Sequence, residues 1–418
     1  MQKGIKVSLS TIKYGLLFIL LLFITTSYNS FSIPVLQSAY QHLDELLVIV
    51  MLGYIFINYK VVLRSKKKLI YRWLWFMSIG LLSSIIFRHQ RLVPAAIDAV
   101  LVISKFIIGY LSTYIYCLRH KNDISKSLIG IARIISLILF VMAVHDTFMS
   151  PFFPRGDYRL FGYSLRLMFP HPTYLGAAAF TLLVLLGYTV NKKNIPYMIM
   201  ISFVAIMTLR GKVIGSIVAY WAFFFTFVVF KKRRVWFIGI TTAIAVFIIG
   251  YDQISEYFLV TGYSPRLIML RDSLSLAARH FPLGTGFGTF GSTIAADYYS
   301  PLYTLLGYES NYGMGSVGSR YLTDSFWPCI IAQFGYIGLL AFIIVIAYFA
   351  QLCIAKLNSD RIAGFSMLAI IVYMLITSIA ETSFFNPTSL LIFMLLAIFE
   401  TDKTNRSSDV IKNNQKSV

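Results

Sequence analysis

Long unbroken runs of apolar residues alternate with short polar breaks along most of the chain. "YGLLFILLLFI" (14–24) and "VWFIGITTAIAVFIIGY" (235–251) are too long and too uniform for the core helices of a soluble domain. Windows of membrane-spanning length predict about twelve helices, at 12–32, 43–63, 69–87, 95–118, 128–148, 172–190, 195–209, 213–230, 235–253, 325–350, 362–382 and 388–400. The expected fold class is all-α: a polytopic integral membrane protein. The first apolar run lacks a small-residue cleavage site, so it reads as a retained span rather than a signal peptide.

The polar breaks set the orientation. "RSKKK" (64–68), "RHK" (119–121), "NKKN" (191–194) and "KKRR" (231–234) each follow an even-numbered span. They share a side with Lys3 and Lys6 at the N-terminus, and that side is the cytoplasm. The chain then divides into helices one to nine (1–253), a large extracytoplasmic loop (254–324), helices ten to twelve (325–400) and a polar cytoplasmic tail (401–418) of disorder-prone composition. A second outer segment, 149–171, is also too long for a plain turn. No internal repeat of the inverted-repeat transporter kind is visible.

Composition agrees. Only 13% of the 418 residues are charged, against roughly 25% in soluble domains. A net charge of +20 would point to nucleic acid in a soluble protein. Here it marks cytoplasmic loops and anionic lipid, and no basic soluble module exists to bind nucleic acid. Cys117, Cys329 and Cys353 lie in or beside apolar spans and have no disulfide or metal-ligand spacing.

The basic residues are asymmetric. Lysine dominates inside, whereas outside stand Arg88, Arg91, Arg155, Arg159, Arg166, Arg210, Arg266, Arg271, Arg279 and Arg320, with Lys212 as the lone lysine. Arginine grips phosphate bidentately and keeps its charge, so an arginine-lined outer cavity suits a phosphate or pyrophosphate ligand. The competing reading is snorkelling to lipid heads or pairing with Asp157, Asp252, Glu256 and Asp272. "SPRLIMLRDSLSLAARHF" (264–281) predicts an amphipathic helix, with Ser264 as N-cap, Pro265 at the first helical position and an apolar stripe of Leu267, Leu270, Leu274, Ala277 and Phe281. Arg266 and Arg271 flank that stripe, where they would meet the membrane interface. "FPLGTGFGTFG" (281–291) has neither a preceding strand nor a following Lys-Ser/Thr, so it reads as a tight turn and not a nucleotide loop. Arg210 and Lys212 sit at an outer tip, where charge is costly and therefore a candidate ligand contact.

Three segments together resemble the O-antigen ligase and O-antigen polymerase (Wzy) superfamily of bacterial envelope enzymes, over roughly residues 140–345. "RLFGYSLRLMFPHPTYLG" is similar to its Arg-x-x-Gly…Pro-Asn segment, with Thr173 where Asn is usual. "MTLRGKVIGS" is similar to its Leu-Ser-Arg-Gly turn, shifted by one. "SPRLIMLRDSLSLAARHFPLGTGFGTF" resembles its Arg-containing helix ending in Pro-Leu-x-Gly-x-Gly. In "SRYLTDSFWPCIIAQFGYIGLL" (319–340), Asp324 and Ser325 stand where ligases place His and Asn, and Gly335 and Gly338 keep the Gly-x-x-Gly register. That departure favours the polymerase branch.

The resemblance implies a GT-C-type glycosyltransferase in the bacterial cytoplasmic membrane, with both termini cytoplasmic. It implies transfer of a growing glycan from undecaprenyl pyrophosphate to the free sugar end of a new lipid-linked repeat unit, with no cofactor and no metal. Implied partners are undecaprenyl-pyrophosphate-linked oligosaccharides, membrane lipids, a chain-length regulator and a flippase. Arg266 and Arg271 are the first candidates to stabilise the leaving pyrophosphate, with Arg159, Arg210, Lys212 and Arg320 as further substrate contacts. Asp324 is either the base for the acceptor hydroxyl, the cap of the next helix, or both. His171 and His280 are outside but off the family's position, and Glu381 near the outer end of a span is a reserve base. Tyr298, Tyr299, Tyr303, Tyr308 and Tyr312 crowd the large loop, suited to sugar stacking or to an interface belt. The alternatives are an O-antigen ligase acting on lipid A–core, a lipid-linked oligosaccharide flippase, and a non-catalytic scaffold. A flippase would carry ionisable residues deep in many spans, and these spans are mostly clean.

Overall fold

The computed structural model describes residues 9–26, 42–120, 124–149, 151–159, 162–189, 191–230, 251, 255, 263–317 and 321–402. The ninth expected span, Arg320, Asp252, Glu256 and the tail after 402 lie outside the described residues.

Among the described residues the long apolar runs fold as helices. In chain order these are α1 (Leu9–Thr26), α2 (Leu43–Ile57), α3 (Tyr59–Phe87), α4 (Leu92–Ile97), α5 (Lys105–Arg119), α6 (Ile124–Phe148), α7 (Pro172–Gly187), α8 (Ile195–Met207) and α9 (Gly211–Phe223). After the large outer segment's α10 (Pro265–Arg279), α11 (Thr293–Asp297) and α12 (Pro301–Leu305) come α13 (Phe326–Ser359), α14 (Arg361–Thr377) and α15 (Pro387–Thr401). Among the described residues the one sheet is a hairpin of β1 (Tyr158–Arg159) and β2 (Gly162–Tyr163), antiparallel with Tyr158 opposite Tyr163. Among the described residues four helices are long and apolar enough to cross a membrane: Tyr59–Phe87, Ser127–Phe148, Gly211–Val229 and Phe326–Ser359. A fifth appears when Leu92–Ile103 and Lys105–Arg119, bent by 50°, count as one span. The chain is thus a helical membrane protein.

Packing follows from composition. Every residue of α7 except Tyr174 is buried, because its sequence is apolar or small on all sides, the pattern of a central helix. Around it pack α6, α8, α9, α14 and α15, and a second contiguous group joins α3, α10 and α14 to α13 and α2 to α5. The run "RSKKK", expected as a loop between two spans, is instead helical. α3 passes through it with a kink at Lys66, and the break from α2 falls at Asn58. The reason is a buried partner. Lys66 pairs with Glu400 on α15 and lies 4.2 Å from the Tyr114 ring centroid, while the Tyr110 hydroxyl donates to the same carboxylate.

The outer segment has its own small core of Met269, Leu276, Phe290, Leu302, Tyr303, Tyr308, Met314 and Leu322, which also takes in Ala332 of α13. The glycine turn anchors it. α13 is broken at Gly335, where φ is 64°. Carbonyls near a break have lost helical donors and need others. The turn supplies them: the Thr285 amide donates to the Ala332 oxygen at 2.8 Å, and the Gly286 amide to the Gln333 oxygen at 2.9 Å. On its other side Gly284 and Phe287 donate to the hydroxyls of Ser83 and Ser84 of α3, and Gly288 donates to Asp98. The "FPLGTGFGTFG" run is therefore a tight turn, as expected, and also a wedge between two long helices.

Candidate functional site

A cavity of about 930 Å³ opens at one end of the helices, on the side of the 263–317 segment. It gathers side chains from six separate stretches. Asp157 and Arg159 come from the hairpin segment, His171 from the start of α7, and Arg210 and Lys212 from the cap and first turn of α9. Arg266 comes from α10, Asp324 from the approach to α13, and Glu381 from the turn between α14 and α15.

Three ion-pair groups organise it. Asp157 bridges Arg159 at 2.6 Å and Arg210 at 2.5 Å. Partial burial works against its ionisation, but the Arg159 hydrogen bond and the charges of Arg210 and Arg159 bring its carboxyl down to about 2. Lys212 pairs with Glu381 at 2.9 Å. Arg266 holds Asp324 twice: Nη2 donates to the carboxylate at 3.0 Å and Nε to the main-chain oxygen at 3.2 Å. Burial nevertheless pushes the Asp324 carboxyl above its ordinary value, outweighing the pull of Arg266 and Lys212.

His171 caps α7, its Nδ1 accepting from the Thr173 amide at 3.2 Å. That bond selects the tautomer with the proton on Nε2. Burial first, then the Arg210 and Lys212 charges, lower the imidazole to about 4, so it is neutral at pH 7.

Four helices begin at this wall. Their N-caps are His171, Arg210, Ser264 and Asn386, for α7, α9, α10 and α15. At α9 and α15 the cap side chain makes no hydrogen bond to the first turn. Helix N-termini carry partial positive charge and amide donors, so the arrangement favours an anion beyond what the side chains supply.

The structure sorts the sequence candidates. Arg159, His171, Arg210, Lys212, Arg266, Asp324 and Glu381 all line the cavity, and Arg320 is not among the described residues. Arg271 stands exposed on α10 and does not share the site with Arg266. The buried face of α10 is Met269, Ser273, Leu276 and Ala277, which packs on α13. Leu274 and Phe281 of the expected stripe remain exposed. Glu381 is not within a span: α14 ends at Thr377, and the carboxylate lies in the following turn. The cap of α13 is Ser325 rather than Asp324, whose carboxylate goes to Arg266 instead. His280 lies elsewhere, its Nε2 2.8 Å from that of His89. Other outer arginines are structural: Arg155 donates to the Asp146 carbonyl, and Arg166 to those of Pro154 and Pro170.

Sequence reasoning missed Asp297, Tyr263 and Tyr321 as cavity residues. It read Asp157 only as a pairing partner, although two outer arginines near one acid is itself the signal for a shared site. Among the described residues, no group of three or more His, Cys, Asp or Glu side chains gathers as metal ligands would.

Ser325 makes one small prediction. Its hydroxyl is buried without a hydrogen-bond partner. Ser325→Ala is expected to change thermal stability by less than the ~1 kcal/mol typical of losing an N-cap. A larger loss in a detergent melting curve would show that the hydroxyl does cap the helix. No family model and no curated protein sequence matches the chain.

Proposed function

We propose that this protein is a polymerase of lipid-linked polysaccharide repeat units, a metal-independent glycosyltransferase of GT-C type with twelve spans. The cavity would lie on the outer face of the bacterial cytoplasmic membrane and both termini inside. The observation that carries the reading is the convergence of three arginines, one lysine and four helix N-termini on one cavity beside a carboxylate of raised pKa. That combination suits a pyrophosphate-linked donor and a hydroxyl acceptor.

The roles divide by geometry. Arg210, Arg159 and Lys212, with the starts of α7 and α9, hold the lipid pyrophosphate. Asp324 takes the proton of the acceptor hydroxyl as its oxygen bonds to the anomeric carbon of the growing chain. The glycosidic C–O bond breaks, and its electron pair leaves on the lipid pyrophosphate. Arg266 grips Asp324 through both main chain and side chain, so it orients the base. His171, neutral at pH 7, offers Nε2–H to a phosphate or sugar oxygen.

The test is reconstitution with lipid-linked repeat units alone. Longer lipid-linked chains support the polymerase. Transfer only after lipid A–core is added would make it a ligase, and translocation without bond formation a flippase. The pH profile adds a second check. Asp324 must be ionised to act, and its pKa is raised, so the acid limb of kcat/KM is expected above the ordinary carboxylate value of about 4. The limb should be lost in Asp324→Asn; a limb unchanged in that variant would assign the base elsewhere.

A further inference from the structure

The crowded tyrosines of the outer segment separate into two groups. Tyr303 and Tyr308 are fully buried: the Tyr303 hydroxyl accepts from the Gly291 amide at 2.7 Å, and the Tyr308 hydroxyl donates to Asp272 at 2.7 Å. They are pillars of the segment's core. Tyr263, Tyr312 and Tyr321 instead line the cavity.

Contacts tie these three residues into one cluster. The Tyr263 hydroxyl donates to the Tyr312 carbonyl at 2.6 Å. The Tyr312 and Tyr321 ring centroids are 6.4 Å apart, and the Tyr321 amide donates to the Gly313 oxygen at 2.7 Å. Yet Tyr312 is 74% exposed and Tyr263 51% exposed. A folded protein gains little by gathering large rings and leaving them open to solvent, unless something covers them. Their surroundings define the occupant. Asp297, Thr293 and Thr323 stand in the same wall, giving hydrogen-bonding groups beside flat apolar faces. Arg159, Arg210 and Lys212 are on other elements, the hairpin segment and the start of α9, and the nearer Arg266 is taken up by Asp324. A ring face with adjacent carboxylate and hydroxyls matches an uncharged pyranose, whose C–H face is apolar and whose rim is hydroxyl.

Resting on the function proposed above, we infer that Tyr263, Tyr312 and Tyr321 form the acceptor-sugar subsite. The shelf leads to the base in sequence and in space: Tyr321 and Thr323 immediately precede Asp324, and all three line the cavity. A sugar stacked there would present its hydroxyl towards the carboxylate, while the pyrophosphate end of the donor occupies the basic wall.

The experiment compares two water-soluble probes on purified full-length protein in nanodiscs. One is inorganic pyrophosphate. The other is phosphate-free oligosaccharide, released by mild acid from the surface polysaccharide of the producing cells. Saturation-transfer NMR reads the sugar and a thermal shift reads the pyrophosphate. Tyr312→Leu keeps an apolar side chain for lipid contact but removes the stacking face. It is expected to weaken oligosaccharide binding about tenfold, leaving the pyrophosphate shift unchanged. Arg210→Ala should do the reverse. Oligosaccharide binding equal in wild type and Tyr312→Leu would overturn the subsite, as would pyrophosphate binding with no oligosaccharide binding at all; the donor site would survive either. Failure of both probes would instead remove the function on which the subsite rests. A Tyr312→Leu variant that loses only its nanodisc stability would identify the rings as a lipid belt and also overturn the subsite.

Discussion

Asp324→Asn is expected to slow chain elongation about 10²- to 10⁴-fold, the usual worth of a positioned general base. The side chain keeps its shape and is 35% exposed, so folded protein is expected, at the cost of the carboxylate's ion pair with Arg266. Arg266→Ala is expected to fall in the lower part of that range, for a separate reason. It removes both bonds that orient Asp324. It also removes a charge that lowers the Asp324 pKa, so the acid limb of the rate profile should move to higher pH. A merely structural arginine would not produce that shift. Arg271→Ala, on the exposed face of the same helix, should leave elongation at the wild-type rate. In vitro elongation with lipid-linked repeat units, normalised to monodisperse protein, measures all three. Full activity in Asp324→Asn and Arg266→Ala would dismantle the proposed site.

Gly335→Ala should destabilise the folded protein by roughly 3 kcal/mol or more, from a forbidden backbone conformation together with overpacking. At φ 64° a side chain is strained wherever it points, and here its Cβ would lie 2.4 Å from the Leu283 oxygen. Gly284→Ala meets the same obstacle from the other side, its Cβ falling 2.4 Å from the Ala332 oxygen. Gly130→Ala in α6 is the control, because nothing lies within 4 Å of its added Cβ. Melting temperatures in detergent should drop sharply for the first two and stay level or rise for the third. A Gly335→Ala protein that melts like wild type would mean that the wedge is not needed to hold α13.

The helices were legible because membrane helices advertise themselves through length and apolarity. Their ends were less so. Lys66 looked like a loop lysine, and only the distant Glu400 explains why its turn is helical and buried. The cavity-lining residues were legible one at a time: Arg210 and Glu381 put charge where charge is costly, Arg266 flanks an apolar stripe, and Asp324 stands at the start of a helix. Their pairing was not, because Arg266 and Asp324 are brought together by the folding of the whole outer segment. The same limit explains α10. Its periodicity shows an apolar stripe but not that Met269 and Leu276, on a neighbouring face, are the ones α13 covers. Tyr303 and Tyr312 are indistinguishable by composition, yet one is a pillar and the other a rim.

The cavity's charges also bear on how a ligand arrives. Arg159, Arg210, Lys212 and Arg266 are matched by Asp157, Asp297, Asp324 and Glu381, and His171 is neutral. Such a wall projects little net field, and what remains fades within about 10 Å at ordinary ionic strength. It cannot draw anions from bulk solution, so free phosphate and nucleotides pass without being concentrated. Helix termini act only at contact range. For the lipid-linked donor proposed above, discrimination is then left to molecules that diffusion within the bilayer has already delivered to the rim, and encounter would be a two-dimensional search with little dependence on salt.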